Sequence, residues 1–392
     1  MSKPSSKYRL FEDREWYSLR SILGNDWALF YLLLGGREAG KSYCVTKFYC
    51  SQFKKYGRPF YWLRLTEASK NKLLQNNAEK LVDPDIRREL GLDLETSGDN
   101  VYSVKRNKEG KVIKRTLMAR VLALSTFYND KGSGLFDKDF LKDPKMYYNI
   151  CLDEMNREKG EKKTFDILYA FVNEIENLTR STKERMRIIM IGNTLEEASD
   201  LMVGFNFLPE EFGRYYLVKN KKKLQEFKRE MKAATVSGDE EEKRRVNKKY
   251  EKIKFGHRCV IDYIPPNEAY KARRAGTVSD ILTPTASTFT NEIKMDISLI
   301  TKAKLIKPTQ IIKFTEDKST WFTVWDDYKI STYNGEKVPD VVHMIPYSNT
   351  GLFDKKRVDN VYARYMTLSY RFKNLISQKK FKKQLELLKP KG

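Results

Sequence analysis

Gly35-Gly36-Arg37-Glu38-Ala39-Gly40-Lys41-Ser42 decides the fold. The segment fits GxxxxGK[ST] at every fixed position, and each fixed residue has a physical task. The glycines let the backbone wrap phosphates with its N–H groups, in conformations that a Cβ would obstruct. Lys41 brings a point charge to the β- and γ-phosphates, and the Ser42 hydroxyl is placed to ligate Mg²⁺. The motif needs a strand before it and a helix after it. Residues 27–34 (WALFYLLL) are apolar all round and read as a buried parallel strand. Over residues 42–54, Val45, Phe48, Tyr49 and Phe53 recur at helical spacing. That helix turns its positive end to the same phosphates. The expected nucleotide-binding segment is thus Gly35 to Ser42 with the adjoining Tyr43, and the expected cofactors are ATP and Mg²⁺.

Outward from the loop, strands and helices alternate. Residues 60–65 (FYWLRL) read as a second strand and 66–95 as polar helix. Residues 101–106 and 111–124 both alternate apolar and polar positions, which predicts a hairpin turning at 107–110. Residues 147–152 and 187–191 are further buried strands, with an amphipathic helix over 165–178 between them. This alternation predicts an α/β fold with a mainly parallel sheet and helices on both faces.

The strand at 147–152 ends in Asp153 and Glu154, on the side where parallel strands open to ligands. Asp153 is expected to hold the Mg²⁺ and Glu154 to polarise the attacking water as general base. The 112 residues between Lys41 and Asp153 leave room for an extra strand between the two motif strands. Asn193, just past the strand at 187–191, stands where a sensor of the γ-phosphate is expected. Upstream of that strand, residues 178–185 are basic. Arg180 is the choice for an arginine finger reaching a neighbouring subunit, with Lys183 and Arg185 as alternatives.

Composition narrows the partners. The net charge is +23, from 75 Lys and Arg against 52 Asp and Glu. Such an excess attracts polyanions, nucleic acid first and a membrane surface second. The longest apolar run has eight residues, against the ~18 needed to cross a bilayer, so no span is expected. The N-terminus lacks the apolar region of a secretion signal. Cys44, Cys50, Cys151 and Cys259 show no CxxC spacing and read as reduced thiols of a cytosolic protein. With only His257 and His343, a His-rich zinc site is excluded.

The domain expectation is a lead at 1–25, an ATPase domain at 26–218, a charged lid or linker at 219–270 and a smaller domain at 271–392. The insert at 219–254 holds 14 basic and 7 acidic residues around Gly238, and a solvated helical hairpin explains it equally well. Residues 308–315, 320–326 and 341–346 read as strands of the smaller domain. Asp326, Asp327 and Asp340 flank those strands, but a two-metal nuclease needs several carboxylates converging on ions ~4 Å apart. No such set assembles, and no nuclease activity is expected. Residues 355–392 carry 12 basic residues against 2 acids and read as a basic helix and tail. Tyr362, Tyr365, Tyr370 and Phe372 there read as core.

Together these stretches resemble the DNA-packaging ATPases of small phi29-type tailed phages. The likeness rests on GGREAGKSY, FYWLRL, VYSVKRNKEGKVIKR, LSTFYNDKGSG, LDE and TRSTKERMRIIMIGNT, in order and spacing. It implies a P-loop ATPase of the additional-strand, catalytic-Glu type with a C-terminal domain shaped like RNase H but inactive in cutting. It further implies a homo-oligomeric ring, commonly a pentamer, docked on the portal of a prohead and moving double-stranded DNA. Such a protein works in the host cytoplasm during assembly and is absent from the mature virion. Lys131 matches a family lysine that acts near the nucleotide. The basic helix and tail would grip phosphate backbone, or a packaging RNA at the portal. Two other readings stand beside this one. A helicase or replication ATPase on single strands would need aromatic stacking platforms. A non-catalytic nucleic-acid-binding assembly protein is the other, against which Lys41, Asp153 and Glu154 argue.

Overall fold

The structure is a computed structural model. It describes residues 16–36, 39–129, 147–156, 165–179, 186–193, 199–209, 212–217, 221–250, 258–265, 272, 275–277, 299–344 and 355–388. The chain divides into two compact units, residues 1–194 with 209–292, and residues 195–208 with 293–392.

The first unit is built on a nine-stranded sheet. Its elements are α1 (Arg20–Leu23), β1 (Phe30–Leu34), α2 (Lys41–Tyr56), β2 (Phe60–Arg64), α3 (Glu67–Ala78), α4 (Pro84–Leu90), β3 (Leu94–Ser97), β4 (Asn100–Arg106) and β5 (Val112–Ala123). A 3₁₀ turn at Leu124–Asn129 leads on, followed by β6 (Tyr148–Asp153), α5 (Ile167–Thr179) and β7 (Met186–Gly192). In the second unit α6 (Asp200–Phe205) comes next, before the chain rejoins the first unit at β8 (Gly213–Leu217), α7 (Lys221–Ser237), α8 (Glu240–Tyr250) and β9 (Cys259–Tyr263). The strand order is β3-β4-β5-β2-β6-β7-β1-β9-β8. The six strands from β5 to β9 in that order run parallel, while β3, β4 and β8 are antiparallel to their neighbours.

Local chemistry explains the elements. Strands β1 and β6 are buried on both faces, which is why neither alternates with polar residues. Helix α2 buries Val45, Tyr49, Cys50 and Phe53, one stripe against the sheet, and the Tyr49 hydroxyl donates to the Ile150 carbonyl at 3.0 Å. Helix α3 starts from a capping box made by Thr66 and Ser69. Helix α4 is capped by Asp83 and has Pro84 at its first position.

A strand does lie between β6 and the loop-bearing β1, but it is β7, which follows Asp153 in sequence; the 112 residues from Lys41 to Asp153 supply β2 to β5 on the far side of β6 instead. Residues 66–95 are two helices rather than one, with β3 beginning at Leu94. The lid or linker expected at 219–270 is corrected by the sheet pairing. Residues 259–263 form β9, which pairs with both β1 and β8, so the chain returns to the sheet after the insert. The insert is the helical hairpin α7–α8. Its Phe227, Ala234, Val246 and Tyr250 join the same apolar core as Trp27 and Tyr31. Charge dominated the composition there and masked an apolar stripe of ordinary helical spacing.

The described part of the lead, residues 16–25, packs into this unit as well. Tyr17 donates its hydroxyl to Asp262 Oδ2 at 2.7 Å and its backbone N–H to the Ala39 carbonyl at 3.2 Å. Arg214 on β8 grips Asp262 with two hydrogen bonds, 2.5 and 2.7 Å, and reaches Ser21 with the rest of its guanidinium. Burial and the Asp262 carboxylate push the Tyr17 phenol well above its ordinary pKa, so it remains a donor.

The second unit carries β10 (Pro308–Lys313), β11 (Trp321–Trp325), β12 (Lys329–Thr332), β13 (Asp340–His343), α9 (Lys355–Met366), β14 (Arg371–Phe372) and α10 (Leu375–Leu388). Its sheet order is β13-β10-β11-β12-β14. Three of the strands were expected; β12 and β14, four and two residues long, were too short to leave a periodic signal. Phe381 on α10 packs its ring against Phe314, Phe322 and Phe372 at 5.0 to 5.7 Å. Tyr370 and Phe372 are core as expected, with Tyr362 and Tyr365 packed against it.

Asp262 is fully buried, and removing one partner of a buried ion pair costs about 3–5 kcal/mol. Arg214→Met should therefore lower unfolding free energy by about that amount in urea titration. Arg214→Met with Asp262→Leu should lose markedly less, because no buried charge is then left alone.

Candidate nucleotide-binding site

Three parallel strands, β6, β7 and β1, end at the same edge of the sheet. Leu34 lies opposite Gly192, and Asp153 opposite Ile191. The loop after β1, the carboxylates closing β6 and Asn193 after β7 are thereby brought together. Ala39, Gly40, Lys41, Ser42, Tyr43, Asp153, Glu154 and Asn193 line one cleft of about 1750 Å³, with Trp16, Tyr17 and Arg64 also in its wall.

Gly40 has φ of 80°, the left-handed region that favours glycine. A Cβ there would also come within 3.0 Å of the Trp16 ring. Lys41 Nζ is held by the loop's own carbonyls, donating to Gly35 O at 3.0 Å and Gly36 O at 2.5 Å. The Ser42 hydroxyl donates to Asp153 Oδ1 at 3.2 Å. A hydroxyl and a carboxylate this close are hard oxygen donors able to face one ion. Mg²⁺ is bound by one or two carboxylates plus substrate phosphates, so the pair fits it.

Glu154 sits at φ of 57°, rare for a side chain with a Cβ and a form of strain that costs about 1–3 kcal/mol. Its N–H donates to Asp153 Oδ1 at 3.1 Å. Asp153 and Glu154 therefore diverge although adjacent: Asp153 is buried and Glu154 is half exposed.

Sequence reading missed Arg64. It closes β2, and Leu63 pairs with Leu152, so its guanidinium lies beside the carboxylates. It bonds Asp153 Oδ2 at 3.0 Å and also pairs with Glu154. The available signal was an arginine ending the apolar run FYWL, on a strand beside the acidic one. Burial pushes the Asp153 carboxyl above its ordinary pKa; Arg64 pulls it down, and Glu154 pushes it up again. Cys44 lines the same cleft, but burial raises its thiol to about 12, so it stays protonated and is no nucleophile.

Of the other expected site residues, Gly35 and Gly36 hold Lys41 as described. Arg37, Glu38, Lys131 and Arg180, with the alternatives Lys183 and Arg185, lie outside the described residues.

No protein-family model and no curated protein matches the sequence. Solved structures do. The bacteriophage phi29 viral genome packaging motor assembly aligns at a TM-score of 0.57 and 17% identity, covering 96% of this chain and all of that one. The phi28 DNA packaging motor aligns at 0.53 and 12% identity, over 96% of this chain and 98% of that one. The fold is that of these phage packaging motors. The packaging-motor fold extends over both units, since nearly the whole length of each chain is matched.

Arg64→Met should leave Asp153 buried without its cation. The chain without nucleotide should lose roughly 3 kcal/mol of stability. Mg²⁺ with ADP should restore part of that loss, because a cation held by Ser42 and Asp153 would offset the missing guanidinium. Denaturation with and without Mg²⁺-ADP measures both effects, and an unchanged midpoint in the variant would refute them.

Proposed function

We propose that this chain is the ATP-hydrolysing subunit of a phage motor that drives double-stranded DNA into a prohead. One observation carries the reading: the phosphate loop, Asp153, Glu154 and Asn193 share a single cleft in a fold similar to the phi29 and phi28 packaging motors.

Bound Mg²⁺ supplies charge neutralisation at the β- and γ-phosphates. Ser42 and Asp153 would hold it. Lys41, now bonded to Gly35 and Gly36 carbonyls, exchanges those partners for phosphate oxygens. Glu154 faces the open cleft and takes the proton of the attacking water, a role worth about 10²–10⁴ in rate. Asn193 donates to the γ-phosphate. The neighbouring subunit of a ring, a pentamer as in the resembled family, supplies Lys131 and Arg180 to complete the site. Firing in one subunit is thereby coupled to the next.

The second unit acts as an RNase H-like domain that does not cut. Two features support this. Antiparallel β10, β11 and β12 are extended by β13 parallel to β10, a mixed order compatible with that fold. Asp340 has both oxygens engaged, by Gln310 at 2.9 Å and Arg357 at 2.6 Å, leaving it a structural partner rather than a metal ligand. This unit meets the portal, and a packaging RNA is a further partner. DNA is held by its phosphates, because packaging cannot depend on sequence. The protein acts in the host cytoplasm during assembly and is absent from the finished virion.

Glu154→Gln should keep ATP affinity and lose at least about 100-fold in turnover. Lys41→Ala should lose ATP binding itself. Steady-state ATPase with and without duplex DNA, alongside nucleotide titration, separates the two. Wild-type turnover in Glu154→Gln removes that residue from the mechanism, and stimulation by single strands alone removes the packaging reading.

A further inference from the structure

The β4–β5 hairpin reaches beyond the sheet that holds the nucleotide. Strand β5 begins at Val112, yet β2 pairs with it only from Ala119 onward. On the other side, β3 pairs with β4 only as far as Ser103. Beyond Ser103 and Thr116, which are paired with each other, neither β2 nor β3 continues, so four residues of β5, Val112 to Arg115, run on with the end of β4 as a two-stranded ribbon, about 14 Å at ~3.4 Å per residue.

The ribbon is ordered to its tip. Asn107 accepts at Oδ1 from the N–H groups of Glu109 and Lys111, and Gly110 N–H donates to the Asn107 carbonyl. Its arginines serve the fold. Arg106 bonds Asp93 and Glu95, and Arg115 bonds Glu95, all at 2.7 Å. Its lysines do not. Among the described residues no carboxylate pairs with Lys105, Lys108 or Lys114, and Lys111 has only Glu109 at 3.9 Å.

Lys105 and Lys114 moreover face each other directly across the two strands. Like charges in that position destabilise a hairpin. Folding gains nothing from this pairing, whereas an anion lying over it would. A ribbon with six basic residues and one acid between 105 and 115 fits a polyphosphate. Groove geometry selects which one. The major groove of B-DNA, ~12 Å wide, admits a two-stranded ribbon. The deep, narrow major groove of an RNA duplex does not.

We infer that the β4–β5 ribbon is a DNA-contacting element: it lies against duplex DNA and meets its phosphates through Lys105, Lys108 and Lys114. The inference rests on the packaging reading and names the part of the chain that touches the cargo. Edge lysines also block strand addition, a role that either sign of charge fills. The test uses that difference.

The full chain carrying Lys105→Glu with Lys108→Gln keeps a charged edge and gives Lys114 an opposite partner. Its melting temperature should equal or exceed the wild-type value, and its ATPase without DNA should be unchanged. Its affinity for a short blunt DNA duplex, followed by fluorescence anisotropy, should fall on the order of tenfold at moderate salt. The slope of log K against log salt should flatten by roughly 2, at ~0.9 per phosphate contact. Binding to an RNA duplex of the same sequence should change less. Wild-type DNA affinity and slope in the variant would overturn this inference alone, as would equal losses on DNA and RNA. Absence of duplex DNA binding by the unmodified chain would overturn the packaging reading together with it.

Discussion

Asp153 is the charge around which the cleft is arranged. It is buried at the end of a fully buried strand, where an isolated carboxylate is costly. Three neighbours meet that cost, each from a different part of the chain: Arg64 from β2, Ser42 from the start of α2, and its own successor's N–H. None of these contacts is local in sequence except the last. The parallel order of the strands makes them possible, because it delivers every strand end to one edge. The strained backbone of Glu154 follows from the same demand. Two adjacent carboxylates cannot both be buried, so the chain turns sharply and sends the second towards solvent.

A second buried carboxylate, Asp262, organises the other flank. Its partners Tyr17 and Arg214 come from residues 16–24 and from β8, neither of which belongs to the motif-bearing strands. Through them the segment that packs Trp16 against Gly40 is tied to the far side of the sheet. The two carboxylates thus divide the work. One draws Ser42 and Arg64 together in the cleft, and the other fixes the wall against which the loop rests.

The sequence made the centre of this arrangement legible because the chemistry there is carried by residue types at fixed spacing. Ala39 to Ser42, Asp153 with Glu154, and Asn193 were expected from strand–loop–helix context to meet at one edge of the sheet, and β6, β7 and β1 bring them to one cleft. What stayed hidden is long-range. Arg64 sits 89 positions before Asp153 and carries no motif of its own. Strand β9 follows a highly charged insert, and its five residues lack a local partner that would mark them as part of a sheet. In both cases tertiary pairing, not propensity, defines the role.

The insert has one more consequence. It leaves the sheet at Leu217 and re-enters at Cys259, and these two residues are paired across neighbouring strands. The path between them spans almost no distance, whatever its contour length. Added length at this junction can therefore be absorbed while the sheet keeps its register, but the hairpin α7–α8 itself must stay, because Phe227, Ala234, Val246 and Tyr250 cover the same core as Trp27.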